Sequence, residues 1–328
     1  MTSDPGPRVA VFAPAPVLVC TFEHPADDGD PDVALNVGGQ GPWVARAVTA
    51  MGAHAILVVP LGGDTGRAAR HLLSDAPHEV RVVETNAAIA CYVEERRDGE
   101  RCCIREARPG RFGQRELDDL YSAALAAAMD ADVCVITGSP WADHVDPSLL
   151  TRLTADLAAL DRTTVADLSG EQLDAALAGG VDWLKIAHDE LASTAVTTAD
   201  GDEKADADAE ADGEIDEASV WEMAERLATH GRKRGVIVSR AEAPAVVVSG
   251  DDRYRVTTPT LTTVDARGSG DAMTAALATG LAEGRPVEEL LCRAAAAGAA
   301  NAVHKGSATP NAVLVERLAT AVEVEKLD

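Results

Sequence analysis

The segment Asp265-Ala266-Arg267-Gly268-Ser269-Gly270-Asp271 combines residue types that can bind and transfer an oxyanion. It follows a β-like run over residues 254–264 and precedes an alanine-rich helical pattern over residues 272–282. Backbone N–H groups at a helix start lack partners and carry a partial positive charge. Glycine also lets an anion approach the backbone closely. The segment therefore predicts an anion hole made by the N–H groups of Gly268, Ser269 and Gly270.

Asp271 is the unusual residue of this segment, because a carboxylate inside a phosphate site repels the ligand. One interpretation is catalytic: Asp271 accepts a proton from a hydroxyl that attacks a phosphoryl group. The other interpretation is structural: Asp271 caps the helix that follows. The seven residues alone do not decide between the two, since short glycine motifs are weak evidence.

The overall charge excludes some classes of partner. The chain has 328 residues with 54 acidic and 29 basic side chains, a net charge of −25, which opposes binding to nucleic acid and anionic membranes. We therefore expect a small-molecule partner and interpret the acidity as adaptation to a salt-rich cytosol, as in a halophilic archaeon.

The six cysteines lack metal-ligand spacing, and neither a signal peptide nor a membrane-spanning run is recognised. We therefore expect reduced thiols and a cytoplasmic location.

The anion hole needs a framework, and the rest of the chain predicts one. Short buried strands, glycine turns and helices alternate, for instance over residues 9–51 and again from residue 56. This alternation is typical of a parallel sheet covered by helices, which is an α/β fold. The strand after residue 132 and the helix over residues 149–160 continue the same order.

Two segments depart from this alternation. Residues 90–95 and 101–105 are β-like runs joined by Arg97-Asp98-Gly99-Glu100, which predicts a hairpin beside the main sheet. Residues 198–218 are rich in Asp, Glu, Ala and Gly, which predicts a disordered acidic surface loop. A calcium-binding loop is the alternative for the second segment, although the ligand order of an EF-hand is absent.

Several motifs in matching order resemble those of the PfkB, or ribokinase-like, family of carbohydrate kinases, over nearly the whole chain. The phosphofructokinase branch of that family is the most similar. The motifs are Gly38-Gly39-Gln40-Gly41 with Val44-Ala45-Arg46 (GGKGxNVA), residues 61–66 (a second glycine turn), Asp167-Leu168-Ser169-Gly170-Glu171 (DTSGE), Lys185 with Glu190-Leu191 (KPNxxEL) and Asp265 to Asp271 (DTxGAGD).

The resemblance implies a doubly wound sheet flanked by helices in one domain over residues 1–328, with a small β-sheet lid from about residues 15–36 and 87–106. It implies ATP and Mg²⁺ as cofactors, with K⁺ as a further candidate. Asp271 would be the base beside the anion hole. The nucleotide side would comprise Lys185, Ser239, Asp265 and Asn301, with Glu190 acting indirectly on the metal.

The departures from the family pattern concern the acceptor. The family's sugar-contacting NPAxD reads Ala13-Pro14-Ala15-Pro16-Val17, and the Lys and Asn of GGKGxN are Gln40 and Trp43. An arginine, Arg267, stands beside the anion hole and can clamp a phosphate with two donors. Arginines are also dense in the hairpin, but salt bridges to the interleaved Glu94, Glu95, Glu100 and Glu106 are the favoured interpretation of Arg96, Arg97 and Arg101. We therefore expect substrate contacts from Gly39, Gln40, Trp43, Arg105 and Arg267.

The predicted function is ATP-dependent phosphorylation of a hydroxyl on a phosphorylated sugar. Ribose 1-phosphate, giving ribose 1,5-bisphosphate, is the first candidate because the altered motifs argue against a hexulose phosphate. The alternatives are fructose 1-phosphate and an unphosphorylated sugar or nucleoside. A non-catalytic sugar or nucleotide sensor on the same fold is the alternative of another class. An open-edged lid also suggests a homodimer formed through the lid.

Overall fold

This computed structural model describes residues 6–25, 29–97, 100–141, 143–193, 216–229, 234–304 and 309–327. The predicted acidic loop, residues 198–218, lies outside these ranges except for its last three residues, which begin a helix. The strands are β1 Arg8–Phe12, β2 Val17–Glu23, β3 Asp32–Gly38, β4 His54–Gly62, β5 Glu79–Thr85, β6 Ala90–Arg97, β7 Glu100–Ala107, β8 Val133–Thr137, β9 Thr163–Asp167, β10 Trp183–Ala187, β11 Gly235–Arg240, β12 Ala243–Ser249, β13 Asp252–Thr257 and β14 Glu323–Leu327. The helices are α1 Gln40–Ala50, α2 Gly63–Leu73, α3 Gln114–Met129, α4 Pro147–Ala159, α5 Gly170–Gly179, α6 Glu217–Ala228, α7 Ser269–Ala282, α8 Val287–Ala302 and α9 Ala312–Ala319, with a 3₁₀ helix over His188–Ser193.

The main sheet confirms the predicted α/β class. Its strand order is β14-β13-β12-β11-β10-β9-β8-β1-β4-β5. Every neighbouring pair from β11 to β5 is parallel, whereas β11 to β14 pair antiparallel. The short buried strands read from the sequence are the parallel ones, because a parallel sheet is covered on both faces and needs apolar residues throughout.

Helices cover both faces of this sheet, as the doubly wound arrangement requires. One apolar cluster joins the sheet to α1, α7, α8 and α9, and a second joins it to α3, α4, α5 and α6. Alanine, valine and leucine dominate both clusters, as expected from an aromatic content of 3%. Within the described ranges, no helix is both long and apolar enough to cross a membrane.

A separate sheet of four strands, β3-β2-β6-β7, overlaps the two predicted lid segments but extends beyond them to Gly38 and Ala107; we call this sheet the lid. The predicted hairpin is its β6–β7 pair, although its turn, residues 98–99, lies outside the described residues. A β-bulge between Val93 and Glu94 shifts the register of this pair.

His144 of the body contacts two of the segments through which the chain enters and leaves the lid. The ring of His144, in the loop after β8, has Nδ1 3.1 Å from the Gly110 carbonyl oxygen and Nε2 3.2 Å from that of Pro14. Pro14 leads into β2 and Gly110 leads out of β7. Trp141, in the same loop, donates its indole N–H to Glu106 of β7 at 2.8 Å. The loop therefore holds the lid to the body at its hinge.

The structure corrects one strand boundary and adds elements that the sequence did not indicate. The strand predicted over residues 254–264 is β13, which ends at Thr257 because its two neighbours pair with it only that far. Residues 258–268 are an irregular segment that leads to α7. The additional elements are β5, α5, α9 and β14.

Candidate active site

The predicted anion hole is a tight turn at the start of α7. Gly268 is the N-cap residue in the left-handed region, with φ 81° and ψ 3°, a conformation that favours glycine. Ser269 begins the helix, so the N–H groups of the turn lie at its positive end. Asn301, buried in α8, donates its side-chain N–H to the Arg267 carbonyl at 2.9 Å and to Ser269 Oγ at 3.3 Å. Asn301 therefore fixes the shape of this turn.

Beneath the turn lies a group of buried charges, Asp167, Lys185, Glu190 and Asp271, which we call the acidic cluster. Lys185 Nζ lies 3.4 Å from Asp167 Oδ1, and the Thr274 hydroxyl donates to Asp167 Oδ2 at 2.7 Å. Glu190 accepts a hydrogen bond from the backbone N–H of Ala187 at 3.0 Å. Asp167 ends β9 and Lys185 lies on β10, so parallel neighbours bring the two side chains together.

The excess of carboxylates changes the proton affinities of the acidic cluster. Burial, and then the Asp167 carboxylate, raise the pKa of Asp271 to about 8, while the Lys185 ammonium acts in the opposite direction. Burial also raises the pKa of Glu190. The pKa of Lys185 is raised although burial lowers it, because the nearby carboxylates, Asp167 first, outweigh burial. Asp271 is therefore a carboxylate with strong affinity for a proton.

Gly270 leaves the space that the end of the Lys185 side chain occupies where the turn meets this cluster. A Cβ atom at residue 270 would lie 2.5 Å from Lys185 Nζ and 3.3 Å from its Cε. The ammonium therefore packs directly against the helix start, where it adds positive charge to the partial charge of the N–H groups. The position suits a group that binds an anion at this turn.

A cavity of about 600 Å³ lies between the lid and the body. Gly39, Gln40 and Trp43 of the N-terminal motif line it together with Glu190 and Arg267, so five of the predicted site residues meet at one place. Gly39 has φ 95°, and a Cβ there would lie 2.7 Å from the Ala15 carbonyl oxygen. Gln40 accepts a hydrogen bond from the backbone N–H of Gly138 at 3.3 Å.

Arginines from four different segments face this cavity: Arg46, Arg96, Arg101 and Arg267. Three of them pair with carboxylates. Arg267 donates to Glu94 at 2.7 Å and Arg96 to Asp265 at 2.9 Å, while Arg101 lies 3.4 Å from Glu94 and 3.6 Å from Asp265. We call Arg96, Arg101 and Arg267 with Glu23, Glu94 and Asp265 the arginine cluster. Arg46 instead donates to the Val37 carbonyl, and burial lowers its pKa.

Arg105 was predicted to contact substrate, but it does not lie at the cavity. Strict alternation would place Arg101, Cys103 and Arg105 on one face of β7. The bulge makes Glu94 pair with Cys103 but Val93 pair with Arg105, so Arg105 faces away from the cavity. Its guanidinium is exposed and donates to the Ile104 carbonyl at 2.9 Å. Arg96 and Arg101 take the place in the cavity that was predicted for Arg105.

The residues assigned to the nucleotide side occupy different surroundings. Lys185 belongs to the acidic cluster, and the side chain of Asn301 is buried against the turn. Asp265 accepts from Arg96 and, through its other oxygen, from the Arg267 backbone N–H at 3.0 Å, so it belongs to the arginine cluster. Ser239, at the end of β11, donates to the Ile186 carbonyl at 3.5 Å and does not line the cavity.

The sequence did not predict five residues of these clusters as site residues: Glu23, Glu94, Arg96, Arg101 and Asp167. Asp167 was visible as the first residue of the DTSGE-like motif but had no role attached to it. Arg96 and Arg101 were visible in the arginine-rich hairpin with Glu94 as a salt-bridge partner, and Arg101 does pair with Glu94. The sequence did not indicate that Glu94 also pairs with Arg267, which is 173 residues away.

The turn fits a nucleotide phosphate, since a left-handed glycine and the positive end of α7 leave room and charge for an oxyanion. The described part of the chain contains no group of three or more His, Cys, Asp or Glu side chains arranged to hold a metal. Magnesium commonly binds through one or two carboxylates and the phosphates of the substrate. Glu190, which lines the cavity, is one carboxylate available for that arrangement.

The chain is similar to known proteins along most of its length. The family model of the pfkB family carbohydrate kinases matches residues 23–313. The chain is 29% identical over 283 residues to the ATP-dependent 6-phosphofructokinase isozyme 2 of Escherichia coli, covering 82% of each chain. It is 30% identical over 288 residues to the isozyme 2 enzyme of Mycobacterium tuberculosis, covering 85% of this chain and 78% of the relative.

Solved structures agree on the fold. The tetrameric inhibited form of phosphofructokinase-2 from E. coli has a TM-score of 0.78 at 24% identity, covering 96% of this chain and 99% of that one. A Thermotoga maritima protein described as a possible 1-phosphofructokinase has a TM-score of 0.80 at 14% identity, covering 98% and 100%. The fold and the family together define a sugar kinase, a phosphotransferase with an alcohol acceptor. The chain belongs to the pfkB family of carbohydrate kinases, which implies ATP and a divalent metal as cofactors.

Proposed function

We propose that this protein transfers a phosphoryl group from ATP to a hydroxyl of a sugar that already carries a phosphate. The observation that carries the proposal is the charge of the cavity. Among the described residues, four arginines and two glutamates, Glu23 and Glu190, line it, although the whole chain has a net charge of −25. Glu94 and Asp265 pair with three of these arginines from behind the wall. Guanidinium groups concentrated on the wall of one cavity in so acidic a chain are the surrounding that a phosphate ester needs.

In this proposal the two clusters divide the work. ATP, when bound, supplies the phosphoryl group. The N–H groups of Gly268 and Gly270 stabilise the charge that develops on it, whereas the Ser269 N–H donates to the Ala266 carbonyl at 3.1 Å in this structure. Asp271 accepts the proton of the attacking hydroxyl, and its raised pKa suits that role. Arg101 and Arg267 hold the phosphate that the acceptor already carries, so that its hydroxyl is oriented towards the turn.

The acceptor is proposed as a class, with hexulose phosphates first. The relatives described above are phosphofructokinases, and a similar E. coli structure is a complex with fructose-6-phosphate. The comparisons give no support to ribose 1-phosphate, the first candidate from the sequence. Gln40 and Trp43 line the cavity where the family motif has Lys and Asn. They are therefore the positions where a different acceptor would be selected.

The decisive test is ADP release in molar KCl with fructose 6-phosphate, fructose 1-phosphate, ribose 1-phosphate, ribose and nucleosides in parallel. We expect turnover with phosphorylated sugars only. Turnover that is fastest with an unphosphorylated sugar would refute the role of the arginines. ATP binding without turnover on any acceptor would favour a nucleotide sensor, and the Asp271→Asn variant is the matched control.

We also propose that the lid mediates association between copies of the chain. The lid exposes large apolar side chains: Val33 is 58%, Leu35 48% and Ile104 42% accessible. E. coli phosphofructokinase-2 is described in a tetrameric form and in complex with potassium, which makes assembly and K⁺ dependence worth measuring. Light scattering should give a dimer or larger species that Leu35→Asp dissociates. An unchanged mass would contradict the lid contact.

A further inference from the structure

Glu94 is a buried carboxylate on β6, on the side of the lid that faces the body. It is 1% exposed. Its Oε1 accepts a hydrogen bond from Arg267 Nη1 at 2.7 Å, and its Oε2 lies 3.4 Å from Arg101 Nη1. Arg267 belongs to the segment that leads to α7, whereas Arg101 belongs to β7 of the lid. Glu94 therefore already pairs with the guanidinium groups that an anionic ligand in the cavity would use.

The hydrogen bonding of this arginine cluster is incomplete. Among the buried side chains that the structure describes, Glu94 Oε2, Arg96 Nε and Arg101 Nε have no hydrogen-bond partner. Buried polar atoms without partners are uncommon and costly. Two of these atoms are donors on neighbouring arginines, and they indicate that a ligand rich in acceptor oxygens completes the cluster. The third, Glu94 Oε2, is an acceptor whose ion pair is with Arg101.

The charge of Glu94 determines which ligands can complete the hydrogen bonding of the arginine cluster. A ligand carboxylate carries the same charge as Glu94, so replacing one by the other brings no net electrostatic gain and still costs desolvation. A phosphate monoester carries a charge of about −1.5 to −2 and three strong acceptor oxygens. It can accept hydrogen bonds from the unpaired arginine donors, and it can also take over part of the hydrogen bonding that Arg101 and Arg267 now direct to Glu94.

We propose that Glu94 determines specificity by excluding carboxylate-bearing ligands, such as sugar acids, while the arginine cluster admits phosphate esters. The claim that this ligand is the sugar acceptor rests on the function proposed above; the discrimination between anions does not. Selection by a built-in competing charge is one of the two general ways in which sites achieve specificity.

Glu94→Gln tests the proposal, because it keeps the shape of the side chain and removes its charge. Calorimetric titration at constant ionic strength would measure the binding of inorganic phosphate and of acetate. The wild type should bind phosphate in clear preference to acetate. In Glu94→Gln the affinity for acetate should rise about tenfold, so that the ratio of the phosphate affinity to the acetate affinity falls. The matched control is Glu95→Gln, since Glu95 lies next along β6 on the other face and pairs with His24 and Arg97.

An unchanged preference in Glu94→Gln, an equal narrowing in Glu95→Gln, or a wild type that binds neither anion would overturn the proposal. Glu94→Asp keeps the charge and should keep the preference; its loss there would overturn the proposal even if the Gln variant did not fold. Failure of the proposed function gives a different pattern: no turnover with any sugar phosphate, but a preference for phosphate that still depends on Glu94.

Discussion

The acidic cluster under α7 is largely buried and the arginine cluster under the lid is partly exposed, and their balance of charge also differs. The first places three carboxylates around one lysine, Lys185. The second matches three arginines with three carboxylates. Burial, and then the neighbouring Asp167 carboxylate, favour the neutral form of Asp271 and raise its pKa to about 8. The second cluster instead offers guanidinium groups to an anion in the cavity.

This difference separates proton transfer from recognition. A general base works best when its pKa lies close to the pH at which the enzyme operates. The acidic cluster provides such a pKa at Asp271. A group that binds phosphate must keep a permanent charge and fixed donors. Each cluster should therefore respond to a different kind of change: substitutions in the first should alter kcat and its pH dependence, and substitutions in the second should alter KM for the acceptor.

The largest effect is expected from Asp271→Asn. The amide keeps the size of the side chain but cannot accept the proton, so kcat should fall by about 10²–10⁴-fold. The affinity for ATP, measured by titration calorimetry, should change little, since the variant removes no N–H group of the turn. A variant that retains most of its kcat would show that Asp271 is a structural cap and not the base.

Arg101→Met should raise KM for the phosphorylated acceptor by about 10–100-fold, with a smaller change in kcat. Methionine retains the apolar part of the side chain and removes the guanidinium group. The matched control is Arg105→Met on the same strand, because Arg105 faces away from the cavity. Steady-state kinetics with varied acceptor would measure both. Equal effects of the two substitutions would contradict the difference in position that the bulge creates.

The two clusters also differ in how far the sequence predicted them. The turn at Gly268 and Asp271 could be predicted because a strand, glycines and a helix start lie close together in sequence and carry their own chemistry. The arginine cluster could not, since Glu94 and Arg267 are 173 residues apart and meet only when the lid folds over the body. The predicted position of Arg105 was wrong for a related reason: a single bulge residue in β7 reverses the face of the strand that strict alternation assigns to Arg105.

The parallel sheet was predictable from the alternation of buried strands and helices, and the lid from its Asp-Gly hairpin. The edge strands β5 and β14 were not, because partly exposed edges mix charged and apolar residues. Asn301 shows the same limit on a smaller scale. It was assigned to the nucleotide side by resemblance, but its contacts with Arg267 and Ser269 depend on how α8 packs beside α7.

The position of the acid limb of the pH–rate profile tests the acidic cluster further. Because the base must be ionised, activity should be lost as the pH falls through the raised pKa of Asp271, well above the range of an ordinary aspartate. Asp167 is the largest contributor to that pKa after burial, so Asp167→Asn should move the limb to lower pH by about one unit. The measurement is kcat/KM against pH at constant salt. A limb that stays in place or moves to higher pH would contradict the coupling between the two carboxylates.

The smallest effect is expected at the hinge of the lid. Burial lowers the pKa of His144, although the carbonyls of Pro14 and Gly110 oppose it. A neutral ring donates only one N–H, so one of its two polar contacts is a hydrogen bond. His144→Phe removes that bond and keeps a ring to pack on Phe112, whose centroid lies 4.5 Å away. Both kcat and KM for the acceptor should then change only about two- to fivefold.

Hydrogen exchange separates this hinge effect from a general loss of stability. In His144→Phe, exchange should increase in β2 and β6 of the lid and stay unchanged in β8 and β9 of the main sheet. His71→Phe, on the exposed surface of α2, is the control and should alter neither. An increase spread evenly over both sheets would mean that His144 only stabilises the fold. An increase confined to the lid would mean that the hinge places the arginine cluster, because β6 carries Glu94 and Arg96, and β7, which pairs with β6, carries Arg101.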